Sequence, residues 1–165
     1  MGISGLVAQS RLESPLGMLT AAVTDQGLAG LWFDGQAHHP GRLAVPENPR
    51  HPVLVQVRRE LTAYWKRADA GFRVPLDLQG TDFQRQVWRA LLKIRPGCTS
   101  SYAAIAALAG SPAAARAAGA AIGRNPVSII VPCHRVLGRN GALTGYAGGL
   151  ERKQALLQLE DALPP

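Results

Sequence analysis

The chain has 165 residues, 47% hydrophobic and 18% charged, with 18 Lys+Arg against 11 Asp+Glu for a net charge of +7. That length suits one domain or two small ones, with a core that needs neither disulfides nor metals. No N-terminal segment reads as a signal peptide, and the longest uncharged stretch, 96–115, is broken by Pro, Gly, Ser and Thr, so no membrane span is expected. Excess positive charge favours polyanions through counterion release. Only two cysteines, Cys98 and Cys133, point to a reduced cytoplasmic setting rather than a disulfide framework.

The first third reads as strands. Leu6 to Leu12, Met18 to Thr24 and Leu28 to Phe33 are short apolar runs separated by the turn segments Ser14-Pro15-Leu16-Gly17 and Asp25-Gln26-Gly27. A loop with four prolines follows, from Gly35 to Pro52. Residues 53–67 then predict an amphipathic helix with Val53, Val57, Leu61, Tyr64 and Trp65 on one stripe. Residues 72–80 are extended and contain Pro75, which marks the boundary between two domains, 1–77 and 78–165.

The second domain reads as mostly helical. Thr81 and Gln84 form a capping box for a helix reaching about Ile94, with Phe83, Val87, Leu91 and Ile94 inward, stopped by Pro96-Gly97. A short helix over 102–108 and another starting at Ser111-Pro112 and ending near Gly123 form a helix-turn-helix pattern. Residues 113–120 are Ala-Ala-Ala-Arg-Ala-Ala-Gly-Ala. Such a helix either packs tightly in a core or is kept slim so that its backbone can enter a groove beside one cation, Arg116. A Gly-rich run, 138–149, leads to a last helix over 150–160 with Leu150, Ala155, Leu156 and Leu159 as its apolar face. The fold class is therefore α/β: a small N-terminal sheet with a helix, then a mostly helical C-terminal domain.

Chemistry concentrates at Val131-Pro132-Cys133-His134-Arg135-Val136, where a thiol sits beside an imidazole and a guanidinium. Nearby positive groups favour the reactive thiolate. In an extended strand Cys133 and His134 would point to opposite faces, so contact between them would need a bridging water. The carboxylate that orients the base has to come from elsewhere, since no acid lies between Asp82 and Glu151; Glu151, Glu160 and Asp161 are the local options. Cys98 has no base beside it and reads as a plain thiol. His38-His39 lack the cysteines or acids of a metal site.

From Gly80-Thr81-Asp82-Phe83-Gln84 onward the chain closely resembles the O6-alkylguanine-DNA alkyltransferases (methylated-DNA–protein-cysteine methyltransferases). The resemblance runs through Val87-Trp88-Arg89-Ala90-Leu91, Ser101-Tyr102, Ala115-Arg116-Ala117-Ala118-Gly119, Asn125-Pro126, Pro132-Cys133-His134-Arg135-Val136 and Leu143-Thr144-Gly145-Tyr146-Ala147-Gly148-Gly149-Leu150. It covers about half the chain, in order; the N-terminal half is similar only in layout. The resemblance implies direct-reversal repair, in which O6-alkylguanine, and O4-alkylthymine with it, is flipped from the duplex and its alkyl group is transferred irreversibly to Cys133. His134 would act as a water-mediated base held by Glu160 rather than Glu151. Asn125 would brace the segment, and Tyr102 would protonate the leaving base.

The resemblance also implies that Arg116 enters the stack in place of the flipped base. Val136, Tyr146, Ala147 and Gly148 would line the base pocket, with carbonyls of Cys133 and Val136 facing the guanine amine and the Ala147 N–H facing the alkylated oxygen. Ser101, Ala115, Arg116, Ala117, Gly119, Arg124 and Arg135 would meet DNA through the minor groove. No metal and no cofactor is expected, and no thiolate zinc site in the N-terminal half. The partner is double-stranded DNA containing alkylated bases, with no membrane; the protein is expected as a monomer, with cooperative binding on DNA left open.

Three other readings compete. A non-catalytic lesion sensor would lack the acceptor, and position 133 is Cys. A Cys-His hydrolase leaves the Ala-rich helix and Arg116 unexplained. A helix-turn-helix regulator needs side chains that read base edges, and residues 113–120 offer only Arg116.

Overall fold

The computed structural model describes residues 2–164. The chain divides into two compact units, Met1–Gln79 and Gly80–Pro165. The boundary falls slightly later than expected because Gln79 belongs to the first unit: its side-chain amide brackets Ser4, accepting from the Ser4 N–H at 2.9 Å and donating to the Ser4 carbonyl at 2.8 Å.

In the first unit β1 (Leu6–Leu12), β2 (Leu19–Thr24) and β3 (Gly27–Phe33) form an antiparallel sheet in the order β1-β2-β3. Every residue of β2 and β3 is buried, so the usual one-face alternation is absent from both strands. The sheet is widened by loop backbone. Gln9 forms a parallel bridge with Glu47, and Leu28 forms one with Leu76. The chain passes so close there that a Cβ on Gly27, whose φ is +149°, would lie 2.5 Å from the Pro75 carbonyl oxygen. Gly30 is required for another reason: the Trp32 ring folds back over it on the same face of β3 and occupies the space a Cβ would need.

The helix α1 (Pro52–Lys66) packs on this sheet. His51 caps it by accepting the Val53 N–H through Nδ1 at 3.2 Å. Its buried stripe is Leu54, Val57, Leu61 and Tyr64. The inward face is thus rotated from the expected one, leaving Val53 and Trp65 half-buried at its margins.

In the second unit α2 (Asp82–Leu91) begins with the expected capping box: Thr81 Oγ1 accepts from the Gln84 N–H at 3.1 Å and Gln84 Oε1 accepts from the Thr81 N–H at 3.0 Å. Its core residues are Val87, Trp88, Ala90 and Leu91, with Phe83 only half-buried. A two-residue strand β4 (Ser100–Ser101) pairs in parallel with β5 (Val136–Leu137). Ser101 then caps α3 (Tyr102–Leu108), its hydroxyl accepting from the Ala104 N–H at 3.1 Å.

The next helix, α4, is Ala115–Gly123, starting three residues later than expected. Ser111 and Pro112 form a turn instead, closed by the Ala114 N–H on the Ser111 carbonyl at 2.9 Å, and Ala114 leaves the helical region at φ −105°, ψ 37°. Trp88 fixes α4 against α2, its Nε1–H donating to the Ala121 carbonyl at 2.8 Å.

Two further expectations are corrected. Residues 129–135 are not an extended strand. The segment coils through successive turns, Ile129 takes a left-handed conformation (φ 71°), and Cys133–Arg135 is a single 3₁₀ turn. The final helix α5 (Leu150–Leu159) buries Lys153, Leu156 and Leu157, while Leu150 and Leu159 are exposed. The expected face is off because a lysine, Lys153, occupies the inward line. Among the described residues no helix is long and apolar enough to cross a membrane.

Candidate active site

The site is assembled on the 3₁₀ turn and on the inward line of α5. Asn125 shapes the approach. Its Oδ1 accepts from the Val127 N–H at 3.0 Å and its Nδ2 donates to the Val131 carbonyl at 2.8 Å, so one side chain closes the loop that delivers Cys133. Asn125 also hydrogen-bonds the thiol. Ile129 lies inside this loop, buried, in a region that β-branched residues rarely occupy. Strain of that kind persists where surrounding contacts dictate the backbone.

Cys133 is buried, with 6% of its surface exposed. Burial pushes its thiol up to about 11, outweighing the Asn125 hydrogen bond and the Lys153 charge, which act the other way. The flanking residues therefore do not make it a resting thiolate, contrary to the sequence expectation. A base is needed. His134 is fully buried, and its Nε2 is 2.8 Å from Glu160 Oε2. Burial lowers its tendency to protonate, against the pull of Glu160, so the ring is held toward its neutral form. Its Nδ1 is buried with no hydrogen-bond partner among the described residues.

Of the three candidate carboxylates, Glu160 is the one that meets the histidine. Burial alone would raise it, but hydrogen bonds from Arg135 and His134 prevail and hold it down at about 2. Arg135 is the clear departure from expectation. Placed by the resemblance on the DNA surface, it is turned inward and only 6% exposed. Its Nε and Nη2 donate to Glu160 Oε1 and Oε2 at 2.8 and 2.9 Å, and its Nη1 donates to the Ile94 carbonyl at 2.5 Å. A guanidinium spent on a buried carboxylate is not available to a phosphate.

Lys153 is the functional candidate that the sequence reading missed. Its ammonium donates to the carbonyls of Thr144 and Gly145 at 2.7 and 3.1 Å, and burial lowers it to about 8. Thr144 is also the partner of Tyr102, whose hydroxyl lies 3.3 Å from the Thr144 carbonyl oxygen and 3.4 Å from Oγ1. The Gly-rich segment is thereby pinned from two sides. The Tyr146 ring stands edge-on to His134 with centroids 6.5 Å apart. Ala147 is half-buried and Gly148 buried, while the Cys133 carbonyl accepts the Val136 N–H. The signal for Lys153 was present: 153, 156, 157 and 160 fall at i, i+3, i+4, i+7, one continuous helix stripe.

The helix-turn-helix presents a distinct surface. On α4, Ala118, Ala121 and Ile122 face the core, while Arg116, Ala117, Ala120 and the following Arg124 are exposed; Ala115 and Gly119 are half-buried. One face of the Ala-rich helix is thus packed in the core, and the other is exposed with only small side chains beside Arg116. Ser101 is exposed, though its hydroxyl is committed to capping α3. Charge is divided unevenly. Residues 80–165 carry ten Lys+Arg against four Asp+Glu, net +6, and residues 1–79 carry eight against seven, net +1. Among the described residues no cluster of three His, Cys, Asp or Glu side chains could hold a metal.

A cationic helix-turn-helix in the same unit as a buried cysteine, with a histidine–carboxylate pair beside it, defines a DNA-binding protein that carries its own nucleophile. Two family profiles match: the 6-O-methylguanine DNA methyltransferase ribonuclease-like domain over residues 7–78 and its DNA binding domain over residues 82–162. The chain belongs to this family, the methylated-DNA–protein-cysteine methyltransferases. It is 47% identical to the member from Mycolicibacterium paratuberculosis over 94% of this chain and 93% of that one. To the inducible member from Bacillus subtilis it is 51% identical over 73% and 66%. A Mycobacterium tuberculosis OGT crystal structure in complex with DNA superposes with a TM-score of 0.85 at 45% identity, covering 94% of each chain. An O6-methylguanine DNA methyltransferase from Methanococcus jannaschii shares the fold at a TM-score of 0.66 and 23% identity, covering 92% of each chain.

Proposed function

We propose that this protein repairs alkylated DNA by direct reversal, taking the alkyl group from O6-alkylguanine onto Sγ of its own Cys133, with O4-alkylthymine as a second substrate. The observation that carries the reading is Cys133 on a 3₁₀ turn, next to a His134 that Glu160 holds by Nε2, with the opposite ring nitrogen bare.

An alkylated base cannot be reached inside a duplex and has to be flipped out at a cost of roughly a few kcal/mol. The slim exposed face of α4 suits the narrow minor groove, and Arg116 fills the gap the base leaves. Arg124 contributes phosphate attraction with no sequence preference, as lesions at arbitrary positions require.

In the pocket, the Cys133 thiol gives its proton through a water to His134 Nδ1, and Glu160 stabilises the imidazolium that forms. Sγ attacks the alkyl carbon in line, forming the S–C bond as the C–O6 bond breaks. The released guanine takes a proton from the Tyr102 hydroxyl, which is restored by the proton that left the thiol. No external donor or cofactor enters the balance. The thioether is not cleaved, so each molecule acts once. The protein works as a cytoplasmic monomer.

A single-turnover assay tests this. Duplex DNA carrying labelled O6-methylguanine is mixed with excess protein, which is then digested and mapped by mass. Label confined to the Cys133 peptide and saturating at one group per molecule is expected, with none on Cys133→Ser protein that still binds DNA. Label accepted by Cys133→Ser protein would overturn the assignment of the acceptor.

A further inference from the structure

Glu160 is a buried carboxylate at the C-terminal end of α5, where the helix dipole disfavours negative charge. Left with His134 alone, this buried anion would find its counter-charge by drawing a proton onto the imidazole, which would then be no base. Arg135 removes that need. Its fork covers both carboxylate oxygens, Nε on Oε1 at 2.8 Å and Nη2 on Oε2 at 2.9 Å, while His134 Nε2 reaches the same Oε2 at 2.8 Å. The third arm, Nη1 on the Ile94 carbonyl, fixes the guanidinium to the turn that follows α2. Each oxygen is thus an acceptor engaged by donors, and the histidine nitrogen that meets Oε2 has to carry a hydrogen.

We propose that Arg135 is a positioning residue for alkyl transfer: its guanidinium balances and orients the Glu160 carboxylate and, through it, keeps His134 a neutral ring with hydrogen on Nε2 and a bare lone pair on Nδ1. The inference rests on the alkyl-transfer reading of the site. It explains why a charged residue so near the acceptor is turned away from the DNA surface. A lysine could supply charge but not a planar fork that fixes the carboxylate's rotation.

The charged and titratable groups that act on His134 are Glu160 and Lys153 from α5, Cys133 and Arg135 from its own turn, and Tyr146 from the Gly-rich segment. Glu160 favours an imidazolium; Arg135, Lys153 and burial oppose it. Replacing Arg135 with an apolar residue leaves a buried carboxylate without its cation, and His134 then supplies one by protonating. The base is lost before the reaction starts.

Nitrogen-15 NMR of His134 in the unreacted protein tests this, together with the pH profile of single-turnover transfer. At pH 7 the wild-type ring is expected neutral with hydrogen on Nε2. In Arg135→Met the midpoint of ring protonation is expected to rise by about one pH unit, and the acid limb of the transfer rate to move with it. Arg135→Lys keeps the midpoint near that of wild type but transfers more slowly, because the fork is lost. A wild-type ring charged at pH 7, or with hydrogen on Nδ1, overturns the proposal even if Arg135→Met fails to fold. So does an Arg135→Met protein whose rate falls with an unmoved acid limb. Wild-type protein with the expected ring state that never labels Cys133 would instead overturn the alkyl-transfer reading and leave the positioning of His134 standing.

Discussion

Lys153 and Glu160 lie seven residues apart on the inward line of α5, both buried, with Leu156 and Leu157 between them. One is a cation that holds the backbone of the Gly-rich segment, and the other is an anion that holds His134. A single helix thus sets the distance between the Gly-rich segment and the His134–Glu160 pair. The leucines pack the helix down; the two charges carry the geometry outward.

Replacing Lys153 by Met frees the carbonyls of Thr144 and Gly145 and removes a positive charge that favours the Cys133 thiolate. Transfer from duplex substrate is expected to slow on the order of 100-fold, the scale of a 1 Å misplacement in a reacting pair. Amide exchange over residues 144–148 should quicken in the same variant. A full-rate Lys153→Met protein would show that the clamp is dispensable.

Arg116 is exposed on α4 and makes no ion pair among the described residues. Arg116→Ala is expected to slow repair of a duplex lesion while leaving reaction with free O6-methylguanine base unaffected, because the free base has no stack to refill. Rates measured on both substrates decide it; equal losses would remove the role in base flipping.

Acid stability follows from the buried cluster. Glu160 is held at about 2 against an ordinary 4.5, and His134 is lowered from 6.5. In both cases the unfolded chain binds a proton at higher pH than the folded one. The contribution of these two groups is therefore complete above about 6.5, begins to fall as His134 of the unfolded chain protonates, and falls further between 4.5 and 2 as Glu160 does. The Glu160 share corresponds to about 3 kcal/mol. Urea melts across pH 3 to 8 should show this slope, and Glu160→Gln should flatten its lower part.

In the first unit, Gly30→Ala would drive a methyl group into the Trp32 ring. Overpacking of this kind costs about 1–3 kcal/mol, and the Trp32 fluorescence should report a looser ring. A melt unchanged from wild type would mean that the ring swings aside at no cost.

The sequence conveyed what depends on local periodicity and caps. The Thr81–Gln84 box, the strand β1 and the helix α3 are where their residues predict them, because the capping and apolar patterns there agree with the tertiary packing. It failed at two buried charges, Arg135, which the resemblance placed on the DNA surface, and Lys153, which the apolar face of the last helix left out. Arg135 and Lys153 are both inward because each has carboxylate or carbonyl partners distant in sequence, and no local pattern announces such partners. Ser111-Pro112 carried a sound helix-start signal that lost to a turn closed by Ser111 itself. The coiling of 129–135 was hidden for a different reason: a short apolar run does not distinguish a strand from a buried series of turns, and here Asn125 decides it through two side-chain bonds.

The depth of Cys133 has a further meaning. A protein that works once is a stock, and its cell's repair capacity is the number of unspent copies. Oxidants and stray electrophiles draw down such a stock as surely as damaged DNA does. With its sulfur covered and held as a thiol by burial, Cys133 is stored in an unreactive form, while Cys98 stands exposed to the same reagents. The enclosure that makes the nucleophile hard to ionise is also what keeps it from being wasted.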